Sequence, residues 1–186
     1  SKALQSTPGV ASTPNFRNDL IVRGGAPNEN RFYLDGIEVP NINHFATQGS
    51  SGGPVGMIDV RFIREVDVYT SAFPVARGNA LSSVMDFRMR DGNADHRVSS
   101  ATVGASDLGV TADGPWGERG SYILSARRSY LQFLFKALGL PFLPTYNDAQ
   151  FKLRAKVGER DEFTLLGLGA IDDFTLNRGA DDTEFK

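Results

Sequence analysis

His44 and His96 are the only imidazoles in this chain, and together with two acidic clusters they are the residues whose types suit metal binding or catalysis. A cation held through imidazole needs the rings to converge with a carboxylate, yet the two histidines lie far apart in sequence and show no ligand spacing. Both read as surface or loop residues. Asp172-Asp173, and Asp181-Asp182 with Glu184, offer the oxygens that a hard divalent cation prefers, but such acidic runs are ordinarily solvated loops. The run Gly49-Ser-Ser-Gly-Gly-Pro-Val-Gly56 is flexible enough to cradle a phosphate, but it lacks the lysine and hydroxyl residue of a P-loop. Serine, histidine and aspartate are all present without the strained elbow that exposes a nucleophile. The sequence therefore points to no catalytic residue, no metal ligand and no cofactor, and an enzyme is not expected.

Composition narrows the field further. The chain has 186 residues, 40% apolar and 23% charged, which is inside the globular range and suits one domain or two small ones. The absence of cysteine excludes a disulfide framework, a thiolate metal site and a cysteine nucleophile. A net charge of −2 argues against nucleic acid as a partner, because neutralising phosphates takes a clustered basic surface. The richest apolar stretch, residues 131–143, is interrupted by Gln132, Lys136 and Pro141, so no membrane helix is present. A β-barrel stays open, because its strands show only an alternating pattern of about ten residues. No signal peptide is visible, and a start at Ser1-Lys2-Ala3-Leu4 reads as an internal cut.

The pattern changes near residue 94. Before it, short apolar runs alternate with turn clusters. Ser6-Thr-Pro-Gly9 reads as the close of a helix, and Asp19 to Arg23 as a strand stopped by Gly24-Gly25. Residues 30–34 and 37–39 flank Asp35-Gly36, a dipeptide that tolerates the positive φ angles of a type I′ hairpin. A loop follows from Pro40 to Pro54. Residues 58–63 suit either a short helix or an extended segment, while residues 65–69 and 83–90 alternate as strands. After residue 94 the period is a sustained two. Asp148, Gln150, Lys152, Arg154 and Lys156 share one face, and Ala149, Phe151, Leu153, Ala155 and Val157 share the other. Five strands are expected, at 97–104, 108–113, 121–131, 148–157 and 162–174. Short turns at 114–120 and 158–161 would lie at one rim, and the longer connection 132–147 at the other. Alternation of this kind also suits a soluble β-sandwich, but strands of ten residues or more are long for a sandwich and long enough to span a bilayer.

Four pieces in order, Arg23-Gly24, Asp35-Gly36, Glu65-Val66 and Arg77-Gly78 through Asp86, resemble the plug of a TonB-dependent outer-membrane receptor, in wording closest to members common in Bacteroidetes. Asp113-Gly-Pro115, residues 121–130 and Tyr146-Asn-Asp148 resemble the early barrel strands of the same subgroup. The resemblance implies an α+β plug domain at 1–93, followed at 94–186 by antiparallel strands of a transmembrane β-barrel of about twenty-two strands, and hence a portion of a longer protein, since five strands cannot close.

By the same resemblance the function is TonB-dependent transport of a nutrient across the outer membrane of a Gram-negative bacterium, with the plug gating the barrel. The alternative from another class is a soluble or cell-surface β-rich adhesin. The implied partners are the TonB energy-coupling protein, outer-membrane lipid, a small nutrient, metal chelate or oligosaccharide, and a surface lipoprotein. Asn41, Asn43, His44, Phe45 and Gln48 lie where the family presents residues to substrate and are the expected binding apex. Arg23 and Glu65 match positions of a charge cluster that locks plug to barrel wall. Tyr122, Leu124, Arg128 and Tyr130 share a parity and are expected on the outward face, with Arg128 reaching toward lipid phosphates.

Overall fold

Asp35 and Gly36 take φ angles of 47° and 85° in the computed structural model, the left-handed pair of a type I′ turn. The turn joins strands with the expected bounds. The structure describes residues 10–12, 19–47, 50, 53 and 55–176, and the chain divides into two units, Ser1–Arg90 and Asp91–Lys186. The helix end expected at residues 6–9 lies outside the described residues.

In the first unit the strands run β1 (Val10–Ser12), β2 (Leu20–Val22), β3 (Asn30–Leu34), β4 (Ile37–Val39), β5 (Asn43–His44), β6 (Val55–Gly56), β7 (Ile63–Tyr69) and β8 (Ser83–Met89). β1 pairs with β2, β5 with β6, and the main sheet has the order β4-β3-β8-β7. β8 is parallel to β3 and antiparallel to β7. As an inner strand it is buried along almost its whole length, through Val84, Met85, Phe87 and Met89. That is why Val84 and Met85, on opposite faces, are both buried. Leu20, Val22, Phe32, Leu34 and Phe62 complete the core.

Polar side chains tie the short strands to this sheet. The Asn30 amide donates to the carbonyls of Leu20 (2.6 Å) and Pro27 (2.9 Å) and accepts from the Ser83 hydroxyl (2.6 Å). Each polar atom of a buried amide thus has a partner, as burial requires. The Ser82 hydroxyl donates to Val22 O at 2.8 Å. At 58–63, where helix and extended segment were both open, a one-turn 3-10 helix forms at Val60–Phe62, with the Asp59 carboxylate accepting from the Arg61 amide at 3.0 Å. A bulge between Ile63 and Glu65 then sets the register of β7.

The second unit is an antiparallel meander of β9 (Val98–Val103), β10 (Asp107–Trp116), β11 (Gly120–Ser129), β12 (Phe142–Val157) and β13 (Asp161–Leu176), hydrogen-bonded in sequence order. Five strands are thus present among the described residues, with three differences from the sequence expectation. The strand expected at 148–157 starts at Phe142, so the connection shortens to residues 130–141. Within it lies a helix the sequence reading missed, α1 (Leu131–Ala137). The turn expected at 114–120 shrinks to 117–119, because Gly114 and Pro115 continue β10 opposite Tyr122 and Ser121. Proline is tolerated there for a physical reason. The β9 ladder ends at Asp113, so Pro115 has a neighbouring strand on one side only. Pro144 of β12 is in the same position, since the β11 ladder begins at Asn147.

The two faces of β11 and β12 have inverted polarity. Ser121, Ser125, Ser129, Asp148, Gln150 and Lys152 are buried, with Lys152 only 9% exposed. Leu124 and Phe151, on the opposite face, are 39% and 38% exposed, and Ala126, Arg128 and Ala149 are exposed beside them. The edge strands β9 and β13 are largely exposed on both faces.

Candidate functional site

The loop expected to meet cargo is built on one asparagine. The Asn41 amide donates to Asn43 O at 2.6 Å while its carbonyl accepts from Asn43 N at 3.2 Å, a local side-chain closure of the kind that favours asparagine in turns. β5 then pairs with β6, and Phe45 turns the chain at φ 57°. Asn43 and His44 are buried, at 3% and 0% exposure. Phe45 is half-buried with its ring 6.2 Å from that of His44, and Ala46 and Thr47 are exposed. Gln48 lies outside the described residues. Of the five expected apex residues, the structure therefore brings Asn41, Asn43, His44 and Phe45 into one short turn and leaves Asn41 and Phe45 as its accessible part.

Arg23 and Glu65 are both exposed, and no hydrogen bond or ion pair joins them. Arg23 occupies a left-handed position (φ 52°) directly after β2. Glu65 faces Arg88 across the sheet at 3.4 Å, while the other amino group of Arg88 reaches Asp67 at 2.9 Å. Both are exposed pairs, worth under about 1 kcal/mol.

One paired charge in the first unit was assigned no role in the sequence reading. Arg77 contacts Asp86 through Nη2 at 2.7 Å and Nε at 3.2 Å, and its guanidinium stacks 4.4 Å from the centre of the Tyr33 ring. The hydrogen bond to Asp86 raises the already high pKa of Arg77 against the opposing effect of burial, so the charge is fixed at any working pH. A β-carbon on Gly36 would sit 3.6 Å from the same guanidinium. The Asp35 carboxylate accepts from Met89 N at 2.9 Å and its own amide donates to Phe87 O at 2.8 Å. The hairpin tip is thereby bolted to the end of β8. Both residues stand in motifs visible in the sequence, at Asp35-Gly36 and Arg77 through Asp86, but their meeting depends on the parallel β3-β8 pairing, for which no periodicity gives a signal.

In the second unit the charges on the buried face are paired. Arg127 meets Asp148 at 2.9 Å. Tyr146, fully buried, donates to Asp107 at 2.7 Å. Lys152 lies 3.1 Å from Asp91, and Arg154 pairs with both Asp91 and Glu162. Asp91 opens this unit, and the pairing fixes the segment leading into β9. Among the described residues no group of three or more histidine, aspartate or glutamate side chains has the geometry to hold a metal ion. His96 sits beside the Asn93 amide at 3.1 Å.

Residues 1–84 match the family model of the TonB-dependent Receptor Plug Domain. The fold is similar to that of the ferric enterobactin receptor PfeA from Pseudomonas aeruginosa, solved as a mutant, with a TM-score of 0.64 at 15% identity over 94% of this chain and 30% of that one. It is also similar to the pyoverdine outer membrane receptor FpvA from Pseudomonas aeruginosa PAO1 bound to pyoverdine, with a TM-score of 0.60 at 15% identity over 92% of this chain and 25% of that one. At this identity the likeness is one of fold, and the chain spans less than a third of either receptor. No curated protein sequence is significantly similar to it. Residues 1–84 are thus similar to a plug domain, and the chain shares the fold of these receptors over the part it covers.

The clamp on Asp91 has a pH signature. Burial pushes its carboxyl up, but the hydrogen bond and charge of Lys152 and the charge of Arg154 outweigh burial, so its pKa lies below the usual carboxylate range. A depressed folded-state pKa means the stabilisation is complete above the unfolded value and is lost as pH falls through the folded one. Amide exchange in residues 91–97 is expected to stay slow at neutral pH and to accelerate under strong acid. Asp91→Asn should remove that dependence at a cost of about 1 kcal/mol after allowance for solvent screening. Equal protection and an unchanged pH profile in Asp91→Asn would eliminate the clamp.

Proposed function

We propose that this chain is the plug and the first barrel strands of a TonB-dependent transporter that takes up a nutrient across the outer membrane of a Gram-negative bacterium. One observation carries the reading: β11 and β12 bury lysine, aspartate and glutamine while exposing leucine, phenylalanine and alanine. A soluble sheet does the reverse, whereas a barrel strand alternates apolar toward lipid and polar toward a wet lumen. The plug-domain match of residues 1–84 and the similar receptor folds support it. In such a transporter the plug occludes the lumen, cargo binds at its outer end, and the TonB protein of the inner membrane supplies the pull that rearranges the plug. The chain's own residues supply position and charge to this gating, and no covalent step is involved.

The two similar receptors are named for ferric enterobactin and for pyoverdine, which makes a metal chelate the first cargo to test, ahead of an oligosaccharide or another small nutrient. Affiliation with the subgroup common in Bacteroidetes rests on motif wording alone, and so does a surface lipoprotein partner. The transporter reading is tested on the full-length protein in bilayers. Spin labels at 151 and 153 should be broadened by lipid-soluble oxygen, and labels at 152 and 154 should not. The opposite pattern means a register slipped by one residue. A full-length protein that stays monodisperse in water without detergent favours the adhesin.

For the cargo apex, Asn41 and Phe45 are the proposed contacts, with Asn43 and His44 holding the turn beneath them and Gln48 following it. Phe45→Ala should weaken chelate binding by about tenfold, as loss of an aromatic anchor does, with outer-membrane levels unchanged. Unaltered affinity in titration calorimetry would take the turn out of the binding site.

For the lock, Arg23 and Glu65 are proposed to pair with charges on later barrel strands, which suits an exposed arginine with no partner among the described residues. Arg23→Ala should raise outer-membrane permeability to large antibiotics. A variant as tight as the wild type would leave the two residues without that role.

A further inference from the structure

We propose that residues 71–81 form a strap that opens and closes as one piece over the polar face of the first unit's main sheet, and that Arg77, seated on Tyr33 and Asp86, is its latch. The latch stands on the geometry of the first unit alone. Its part in gating deepens the transporter reading and rests on it.

The strap joins β7 to β8, and those strands are already held together at its base by the pairing of Tyr69 with Val84. Swinging it away therefore breaks no bond of the ladder. Ser82 marks its fixed end, with the hydroxyl donating to Val22 O at 2.8 Å. The strap has little burial of its own: none of residues 71–81 is buried, and the aliphatic side chains of Val75 and Leu81 are 104% and 80% exposed. Two arginines hold it down. Arg77 reaches in from the strap to Asp86, and Arg31 reaches out from β3 to donate through Nε to Asn79 O at 3.1 Å. Beyond these, no hydrogen bond or ion pair ties residues 71–81 to the rest of the described chain. Asn79 turns the backbone at φ 60°, a conformation that asparagine tolerates better than most residues.

The closed position is favoured by what lies beneath it. The register puts Tyr33, Asp86 and Asp67 in one transverse row, with Asp86 directly opposite Asp67. Asp67 has Arg88 at 2.9 Å, and Asp86 has Arg77. Lifting the strap takes the cation from a buried carboxylate that faces a second one, and like charges in opposed positions repel. It also strips the guanidinium from the Tyr33 ring, over which it lies at 4.4 Å. One side chain thus decides between two positions of the strap, while the β3-β8 ladder is the same in both. On the transporter reading, this gives the plug a part that moves before its central sheet does.

The test uses spin labels at Val75→Cys and Arg64→Cys, both exposed, to read the strap against β7 by pulsed dipolar spectroscopy of the full-length protein. These 186 residues hold no cysteine of their own. The parent pair should give one narrow distance. Arg77→Gln should raise an open population, broader in distance, by about tenfold, the worth of one charge-assisted contact, with amide exchange in residues 30–34 and 83–89 unchanged. Arg77→Lys keeps the charge without the planar fork and should open the strap less, and Tyr33→Phe keeps the ring face and should leave it closed. A distance distribution in Arg77→Gln identical to that of the parent overturns the latch. Lost exchange protection in the two strands overturns it as well, because Arg77 would then support the sheet itself. For gating, the open population should rise in cells with an energised inner membrane and fall when a protonophore is added. No change there removes the strap from gating with the latch still standing, whereas a full-length protein that needs no detergent sinks the transporter reading and leaves the dipolar result untouched.

Discussion

A sheet whose buried face is charged and whose exposed face is apolar is stable only where the medium around it is less polar than the space it encloses. β11 and β12 impose that constraint. In water, exposing Leu124 and Phe151 while burying Lys152, Asp148 and Gln150 would forfeit apolar burial and add the cost of desolvating charges. In a membrane the same arrangement removes both penalties. Strand length follows from it too. β12 and β13 have 16 residues each, well beyond the nine to eleven or so that a tilted strand needs to cross the hydrocarbon, so on the transporter reading the hairpin would project past the bilayer. The two overhanging ends are where proline and longer connections can sit.

A buried charged face has its own requirement, which is that the charges cancel locally. Arg127 with Asp148, and Lys152 and Arg154 with Asp91, meet it across strands and between strand and linker. Such pairs contribute little net stability, but removing one member is costly. They therefore act as register marks. Tyr146 serves the same purpose without charge, donating to Asp107 from a fully buried position. Gln150 is the exception, with neither amide atom bonded to any described residue; a lumen containing water would satisfy it.

Much of this was legible in the sequence because it depends on local rules. The alternation at 148–157 gave the faces of β12, and Asp35-Gly36 gave a hairpin with the bounds observed. What could not be read depends on long-range pairing. The parallel contact of β3 with β8 joins Asn30 to Ser83 and places Tyr33 level with Asp86, and neither meeting has a spacing that betrays it. The burial of Asn43 and His44 belongs to the same class: as polar residues in an Asn- and Gly-rich loop they read as surface, yet a two-residue ladder with Val55–Gly56 takes them inside. Helix α1 was hidden because seven residues are too few to establish a 3.6-residue period against flanking strands. The candidate site was accordingly legible as a segment, and only the structure divides it into accessible and supporting residues.

The first unit has a small apolar core supplemented by side-chain bonds at identifiable points, and this bears on how a plug can be both tight and movable. β8 carries most of the burial, and three polar residues attach other segments to it or its partner: Asn30 holds β2, Asp35 holds the hairpin tip, and Asp86 holds the segment around Arg77. A bond of this type contributes about 1 kcal/mol net, and a buried donor or acceptor left unmatched costs about 1–3. Resistance is therefore concentrated in a few contacts with short reach, rather than spread over apolar area that would yield gradually. Once pulled past hydrogen-bonding distance, each attachment fails as a unit. β2 depends on Asn30 and Ser82, whereas β3 and β8 keep their ladder and their shared core. On the transporter reading, force applied from the amino-terminal side would meet the Asn30 attachment before it reached the β3-β8 ladder, so the plug would yield in segments while its central sheet persisted.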